Sequence, residues 1–557
     1  MAATTDTTEA VEAEDPYLWL EEVESEEALS FAKEANEACL KALGDPTTSG
    51  TYDRILALLE SDDRIPYSGK FGQDEHGNEL LFNFWKDANH SKGIWRKTTM
   101  ESFKTEKPEW TTVLDVDQLA EQDGVSWVWK GSRPLPRDRD PMSEGGKRVT
   151  RALINLSRAG ADATVIKEFD LLKGDFVPES EDPFHLPEAK SRVSYKSRDV
   201  LIVGTDTGPD SLTDSGYPRT VREWVRGTKL EDAPIVFEGE KTDVAVFAYC
   251  DDQRPRKGPI YEVRGRSITF YTSKRFARII EYEHLLAADD PQRETVGPPP
   301  EFVEVAVQED ASIDFVGKWM IIDLRSDWEP IPGQTFIQGS LIYVDAKTFL
   351  EQGPEACVYH ILFRPTLETA SEYYTVTENY LMLSTLDNVK SKIEFFKFGE
   401  DKMEKIGGDT EGQIRDVSIS AVDPKEGDRF WFTTSSFLQP STLYLADASL
   451  VEKNGWSPDG FITDKVKSLP DQFDASNLVS LQEFATSKDG TKVPYFLIKR
   501  KDIELNGKNP TLLYGYGGFE IRYVVAIIGL ITISWIAKVA VAKNKTELIS
   551  SPCSFYV

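Results

Sequence analysis

The chain has 557 residues, and its 64 lysine and arginine residues against 94 aspartate and glutamate residues give a formal net charge of −30 at pH 7. One hydrophobic core rarely serves a chain of this length, so we expect more than one domain. The composition is that of a globular protein, and the strong negative charge argues against nucleic acid as a partner. The 4 cysteines lie far apart without metal-ligand spacing, which argues against a zinc site and against a disulfide scaffold. We expect no cofactor.

The N-terminal part of the chain is predicted to be a short tail followed by helices. Residues 1–14 are small and acidic, which predicts a disordered tail where a secretory signal peptide would be basic and then apolar. We therefore expect a cytoplasmic protein. Apolar residues recur at near-helical spacing over residues 25–43, and a shorter helix is predicted over residues 52–59. We assign residues 15–70 to an N-terminal helical segment.

From residue 71 to residue 467 the pattern changes to short β-like runs separated by Gly, Pro, Asp and Ser. One type of run is aromatic or β-branched and ends in a small or acidic residue, as in residues 200–206 (VLIVGTD). A second type follows after a short loop and alternates apolar with polar residues, as in residues 220–226 (TVREWVR). The pair recurs six or seven times, at roughly fifty to seventy residues per unit, and is least clear in the fourth unit near Ser267.

This recurrence predicts a mainly β fold with radial repetition, because a four-stranded blade cannot bury both of its faces alone whereas a closed ring of blades can. Two unrelated β domains are the alternative. Arg254, Arg256 and Lys257, beside Pro255 and Gly258, are interpreted as a charged surface loop.

After the β region, the residues 481–500 are predicted to form two strands, with Asp489 and Gly490 at the hairpin turn. Residues 511–519 (TLLYGYGGF) are interpreted as a buried strand that ends in a glycine-rich turn bearing tyrosine. Ligands bind at such turns at the carboxyl ends of strands in α/β sheets. We assign residues 468–521 to the start of an α/β domain and residues 522–557 to an atypical hydrophobic tail.

Taken in chain order, these motifs resemble the prolyl oligopeptidase family of serine peptidases. The resemblance is carried by residues 15–21 (DPYLWLE), by the repeated β runs, by residues 487–494 (SKDGTKVP) and by residues 513–519 (LYGYGGF), and it covers about residues 15–521. It implies a seven-bladed β-propeller inserted into an α/β-hydrolase domain, of which this chain holds the N-terminal helices and the first strands. It also implies an endopeptidase that cleaves short peptides after proline, with the propeller gating access.

The resemblance assigns one catalytic residue to this chain. The second tyrosine of the matching turn, here Tyr516, is implied to supply the side-chain donor of the oxyanion hole. The Ser/Asp/His triad is missing: no G-x-S-x-G occurs, and the nearest sequence, around Ser457, lacks the second glycine. The 5 histidines all precede Tyr516, where none is available as the general base.

We therefore expect a hydrolase domain that is truncated and a chain that is inactive alone, with short proline-containing peptides as the partners that the resemblance implies. The alternative is a pseudoenzyme, or a propeller that binds peptides or proteins without cleaving them. The sequence indicates no oligomeric state. Val524 and Ala542 bound an apolar segment that would span a bilayer only if Lys538 reached the interface, so membrane anchoring is the less favoured alternative.

Overall fold

A computed structural model describes residues 15–22, 25–59, 61, 63–409, 414–471 and 473–513 of the chain. Two helices come first, α1 (Glu26–Leu43) and α2 (Gly50–Leu59). Ser25 caps α1, because its Oγ accepts a hydrogen bond from the Ala28 N–H at 3.2 Å. Both helices predicted for this segment are confirmed.

Seven antiparallel sheets follow, and each takes its strands from its own stretch of the chain. We call them blades 1 to 7. Blade 1 consists of β1 (Gly69–Gln73), β2 (Glu79–Trp85), β3 (Ile94–Thr99) and β4 (Thr111–Asp115). Blade 2 consists of β5 (Trp127–Pro134), β6 (Arg151–Arg158), β7 (Thr164–Asp170) and β8 (Asp175–Phe176), and β9 (His185–Ala189) also pairs with β7. Blade 3 consists of β10 (Arg192–Ser197), β11 (Val200–Gly204), β12 (Thr220–Val225) and β13 (Ile235–Glu238).

The later blades repeat the same order. Blade 4 consists of β14 (Ala245–Asp252), β15 (Ile260–Ser267), β16 (Ser273–Ile280) and β17 (Val303–Glu304). Blade 5 consists of β18 (Ser312–Val316), β19 (Trp319–Asp323), β22 (Leu341–Asp345) and β23 (His360–Phe363), and it carries a hairpin of β20 (Trp328–Ile331) and β21 (Gln334–Phe336). Blade 6 consists of β24 (Thr369–Val376), β25 (Tyr380–Asp387), β26 (Lys390–Phe398) and β27 (Met403–Gly408). Blade 7 consists of β28 (Asp416–Ala421), β29 (Arg429–Ser435), β30 (Thr442–Asp447) and β31 (Ile462–Ser468).

Short helices lie in the connections between strands. The α-helices are α3 (Met100–Lys104), α4 (Val116–Asp123), α5 (Ala346–Gln352), α6 (Ser449–Asn454) and α7 (Pro458–Phe461). The 3₁₀ helices are Leu18–Glu21, Pro46–Thr48, Arg137–Arg139, Glu179–Glu181, Leu230–Asp232, Arg254–Arg256, Tyr282–Leu285, Arg293–Val296 and Pro354–Ala356.

The seven blades form a closed ring, because every neighbouring pair shares a buried apolar cluster. The cluster that closes the ring joins blade 1 to blade 7, with Leu81 and Phe103 packed against Trp431 and Leu443. The rings of Phe103 and Trp431 lie 5.7 Å apart, measured between centroids. The predicted seven-bladed propeller is therefore confirmed, and the alternative of two unrelated β domains is wrong.

The structure of blade 4 explains why the repeated pattern of β runs is least clear in this part of the sequence. Ser267 ends β15, so the residues after it form a turn instead of a strand. Within the blade, Glu262 is only 1% exposed and pairs with Arg278 at 2.6 Å and with Arg264 at 3.3 Å. Buried ion pairs thus stand where a half-buried strand would show apolar residues, and the alternation that signals a strand is lost.

The first strand of each blade lies nearest the axis of the ring. Neighbouring first strands approach each other: the Ile419 N–H of β28 donates to the Tyr373 hydroxyl of β24 at 2.9 Å, and the Ala421 N–H donates to Thr375 Oγ1 at 3.2 Å. In such a ring the turns between first and second strands all lie at one end. We call that end the bridged end. The other end, where blades connect and where the chain enters and leaves the ring, is the entry end.

A hairpin follows the ring, formed by β32 (Leu478–Thr486) and β33 (Lys492–Arg500). Its turn is the predicted one, with Gly490 at a φ of +89° that favours glycine. The hairpin lies against the entry end of the ring. The Gln482 amide donates to the Asn388 carbonyl oxygen between β25 and β26, and the rings of Phe437 and Phe496 lie 5.4 Å apart.

The buried strand predicted from residue 511 is wrong for the three residues that the structure describes. Thr511, Leu512 and Leu513 are exposed and form no strand. A strand needs a hydrogen-bonded neighbour, and nothing in residues 15–513 that is described pairs with this segment. The remainder of the predicted turn, including Tyr516, lies outside the described residues.

Candidate functional site

The bridged end of the ring is crossed by the long connection between β5 and β6, residues 135–150. From this connection Arg137 pairs with Asp423 of blade 7 at 2.6 Å, measured between Nη2 and Oδ2. In the opposite sense, Lys425 of blade 7 pairs with Asp138 at 3.1 Å. Blade 2 is thus joined to blade 7 although blade 1 stands between them.

Blade 4 adds a second set of bonds at the same end. The Arg139 guanidinium donates to the Cys250 carbonyl oxygen of blade 4 at 2.9 Å. Arg256 of blade 4 donates to the Thr377 carbonyl oxygen of blade 6 at 2.9 Å and to the Pro424 carbonyl oxygen of blade 7. Blades 4 and 7 stand on opposite sides of a ring of seven, so these bonds span the channel. Arg254 and Lys257 are exposed, as predicted for a charged surface loop, whereas Arg256 is half-buried and bonded across the channel, so the prediction is wrong for that residue.

Burial and close packing support the bonds that cross the bridged end. Arg139 is 3% exposed and Thr377 is 0% exposed, so the bonds that they form are shielded from water. The turns of blades 4 and 5 touch through their backbones, because a Cβ added at Gly258 would lie 2.2 Å from the Gly317 oxygen. The Gly317 N–H also donates to Gln253 Oε1 at 2.9 Å. Hydrogen-bonded loops therefore close the bridged end.

The entry end presents exposed aromatic and cationic side chains instead. Phe270 and Tyr271, in the turn between β15 and β16, are 87% and 65% exposed. On blade 3, Arg192 is exposed at the start of β10, and Tyr217 is half-buried in the turn between β11 and β12. This end also holds the hairpin β32–β33, so it is the end at which a ligand would meet both parts of the chain.

The wall of the channel in blades 4 to 7 carries carboxyl groups on the first strands. Burial raises the pKa of Asp251 in β14 and of Asp416 in β28. In β18, Asp314 accepts a hydrogen bond from the Tyr374 hydroxyl of β24 at 2.5 Å. Among the described residues, no serine or histidine is hydrogen-bonded to these carboxyl groups. They therefore line the channel and do not form part of a Ser/Asp/His triad there.

The serine nearest to the hydrolase pattern has no catalytic geometry. Ser457 follows α6 and precedes α7, so it is not on the sharp turn from a strand to a helix that exposes a nucleophile. Its carbonyl oxygen accepts a hydrogen bond from the Gly460 N–H at 2.8 Å. Ser457 therefore belongs to the packing of blade 7.

The histidines are spread over the ring, and in the part of the chain that the structure describes none of them is hydrogen-bonded to a serine hydroxyl. His90 Nδ1 lies 2.9 Å from Asp87 Oδ1, at the surface. His284 is 3% exposed, with Nδ1 accepting from the Glu281 N–H and Nε2 lying 3.1 Å from the Gly297 oxygen. Across the described ranges, no group of three or more His, Cys, Asp or Glu side chains is placed to hold a metal ion.

The remaining predictions for the site fall on residues 514–557. Tyr516, the residue assigned to the oxyanion hole, lies outside the described residues, as does the apolar segment bounded by Val524 and Ala542. None of the helices that are described is long and apolar enough to cross a bilayer. Cys39, Cys250 and Cys357 are free thiols.

Comparison with known proteins gives relatives over almost the whole chain. A family model described as prolyl oligopeptidase, N-terminal beta-propeller domain, matches residues 2–254. The uncharacterized peptidase y4nA of Sinorhizobium fredii is 33% identical over 536 residues, which are 95% of this chain and 66% of that relative. The uncharacterized peptidase RP174 of Rickettsia prowazekii is 28% identical over 513 residues, 90% of this chain and 64% of that relative. The chain thus spans slightly less than two thirds of the length of either.

Solved structures show the same architecture. A post-proline cleaving enzyme from Rickettsia typhi matches with a TM-score of 0.71 and 26% identity, over 90% of this chain and 67% of that one. Oligopeptidase B from Trypanosoma brucei matches in fold alone, with a TM-score of 0.61 and 14% identity over 92% of this chain and 64% of that one. No support for a truncated hydrolase domain comes from these relatives, and that prediction stays a prediction.

Proposed function

Because the chain belongs to the prolyl oligopeptidase family, we propose that its propeller selects the short peptides that reach the active site of a serine peptidase cleaving after proline. The relatives support this proposal, since two are named as peptidases and the Rickettsia typhi enzyme is described as post-proline cleaving. The observation that carries it is the closure of the bridged end by loops of blades 2, 4, 6 and 7.

A channel closed at one end admits a peptide only from the other. The entry end is also where the hairpin β32–β33 contacts the ring, through Gln482 and Phe496. A peptide that enters between these parts of the chain meets the propeller and the hydrolase elements together. A folded protein is too wide to do so, and this is the physical basis of selection by size.

In this proposal Tyr516 is the side-chain donor of the oxyanion hole. A preorganised hydroxyl aimed at a developing oxyanion contributes about 3 kcal/mol to transition-state stabilisation. The nucleophile and its base would have to come from elsewhere, because this sequence has no G-x-S-x-G and no histidine after Tyr516. The same observation favours a second candidate function, in which the chain binds peptides without cleaving them.

The first experiment measures hydrolysis of a chromogenic peptide that carries proline before the leaving group, with an alanine counterpart as control. The chain itself is expected to show no turnover and no labelling by a fluorophosphonate probe. A chimera of residues 1–519 with the corresponding C-terminal part of the Sinorhizobium fredii relative is expected to cleave the proline peptide and to leave a folded protein intact. A chimera that is labelled by the probe but cleaves folded proteins as fast as peptides would contradict selection by size. A labelled chimera that does not cleave after proline would contradict the peptidase proposal.

A further inference from the structure

Three cations without an acidic partner lie together where blades 2 and 3 meet. Arg192 begins β10, and Lys190 precedes it by two residues. Arg133 of β5 donates to the Val193 carbonyl oxygen at 2.9 Å, which places its guanidinium beside Arg192. None of the three forms an ion pair with any carboxylate in the described ranges. In a chain with a net charge of −30, where acidic groups outnumber basic ones, unpaired neighbouring cations indicate a place for an anion.

An aromatic ring and a free hydroxyl complete the cluster. The Tyr217 ring lies 4.7 Å from Lys190 Nζ and 5.9 Å from the Arg192 guanidinium carbon, measured to its centroid. Ser194 lies two residues after Arg192, on the same side of β10. Its Oγ is buried and has no hydrogen-bond partner among the described residues. The Ser194 hydroxyl is therefore available to donate a hydrogen bond to a ligand that the cations attract.

The guanidinium groups of Arg133 and Arg192 also repel each other. Partial desolvation by the surrounding protein lowers the pKa of Arg192, and the positive charge of Arg133 lowers it further. An anion bound between the two guanidinium groups would relieve that repulsion. The first strands of blades 4 and 7 carry Asp251 and Asp416, whereas those of blades 2 and 3 carry no aspartate or glutamate, so their cations are free of a carboxylate on the same strand.

We propose that Arg133, Lys190 and Arg192, where blades 2 and 3 meet, bind a carboxylate of a short peptide that comes from the entry end. A guanidinium group matches a carboxylate in a paired geometry, and a lysine adds charge without fixing direction. The Ser194 hydroxyl supplies a further donor, and the Tyr217 ring holds the two cations on β10 and before it in place. This inference rests on the proposed function and adds a preference to it: peptides with a free C-terminal carboxylate or an acidic side chain bind in preference to neutral ones.

The test uses fluorescence anisotropy of the full chain with one labelled, proline-containing peptide in three forms. The first form has a free C-terminal carboxylate, the second is amidated, and the third is amidated with one glutamate added. We expect at least one carboxylate form to bind about tenfold more tightly than the neutral amide, and the difference to shrink as salt is raised. Which carboxylate form gains affinity identifies the source of the carboxylate.

The variant R192Q is expected to abolish this preference without loss of thermal stability, since Arg192 is exposed and unpaired in the described residues. R133Q gives a second variant on the neighbouring blade. The matched control is K229Q, which removes an exposed charge between β12 and β13 at the other end of blade 3 and is expected to keep the preference. Equal binding of all three peptides, or a preference that survives in both arginine variants, would overturn this inference and leave the proposed function standing. Failure to bind any of the peptides would contradict both.

Discussion

Arg256 of blade 4 donates a hydrogen bond to the Pro424 carbonyl oxygen of blade 7, across the axis of the ring. The same guanidinium donates to the Thr377 carbonyl oxygen of blade 6, so one side chain holds three blades together. Every blade takes its strands from its own stretch of the chain, and side chains instead of a shared strand close the ring. Bonds across the axis therefore stabilise the ring as well as closing one end of its channel.

Asp423 is expected to be a major contributor to that stability. Its Oδ2 lies 2.6 Å from Arg137 Nη2 and 3.5 Å from Lys70 Nζ, and its side chain is 9% exposed. The variant D423N would leave these two cations short of negative charge, although Glu426 still pairs with both. We expect the free energy of unfolding to fall by about 2–3 kcal/mol, measured by urea denaturation.

The control for D423N is E351Q, which breaks the exposed pair of Glu351 with Lys347. That pair lies on the surface of α5, and its loss is expected to cost less than about 0.5 kcal/mol. Similar losses in the two variants would show that the bonds at the bridged end contribute no more than a surface ion pair.

Gly258 provides a steric test of the bridged end. A Cβ at this position would lie 2.2 Å from the Gly317 oxygen, and backbone on both sides leaves little room to move. We expect G258A to lower the free energy of unfolding by about 3 kcal/mol in urea denaturation. G69A is the matched control, because nothing lies within 4 Å of a Cβ added there. If both variants were as stable as the parent chain, the turns of blades 4 and 5 would not be in close backbone contact at Gly258.

The channel carboxyl groups predict a dependence of stability on pH. Burial raises the pKa of Asp251 above 3.8 in the folded protein, so its contribution to stability falls as pH rises from 3.8 through the folded value. D251N cannot ionise and keeps an acceptor for the Gln253 amide, which lies 2.8 Å away. We therefore expect D251N to gain stability relative to the parent chain between acidic and neutral pH, measured by urea denaturation at both.

Asp387 serves as a control, because its pKa is shifted in the opposite direction. A hydrogen bond from Lys392 at 2.6 Å lowers the pKa of Asp387 below 3.8, so its contribution is present above that pH and is lost as pH falls. D387N is expected to lose stability relative to the parent chain as pH rises from acidic to neutral. A change of stability in the same direction in the two variants would contradict the opposite pKa shifts of Asp251 and Asp387.

The proposed role of Tyr516 is testable in the chimera that supplies a nucleophile. Y516F removes the hydroxyl that would stabilise the oxyanion, and we expect kcat for the proline peptide to fall by about a hundredfold with little change in KM. Y514F removes the neighbouring hydroxyl of the same turn and is expected to leave kcat within a few-fold of the parent. Equal effects of the two substitutions would remove the oxyanion assignment.

Periodicity in the sequence was enough to predict the helices, the blades and the hairpin, because burial on one face imposes a pattern on each. It was weakest in blade 4, where Glu262 and its arginine partners are buried as ion pairs. Local pattern could not show that Arg256 crosses the channel, since its partners Thr377 and Pro424 lie more than a hundred residues away in the chain. The charges of Arg133 and Arg192 gave no signal either, because only the fold brings them together.

Peptides are expected to meet this propeller at its entry end and not at the bridged end. The most direct measurement is photocrosslinking of a short, proline-containing peptide that carries a photoreactive group, followed by mapping of the adducts by mass spectrometry. We predict adducts around Arg192, Tyr217 and the turn at Phe270. Adducts concentrated around Asp138 and Asp423 would contradict this prediction, because both residues lie in the loops at the bridged end.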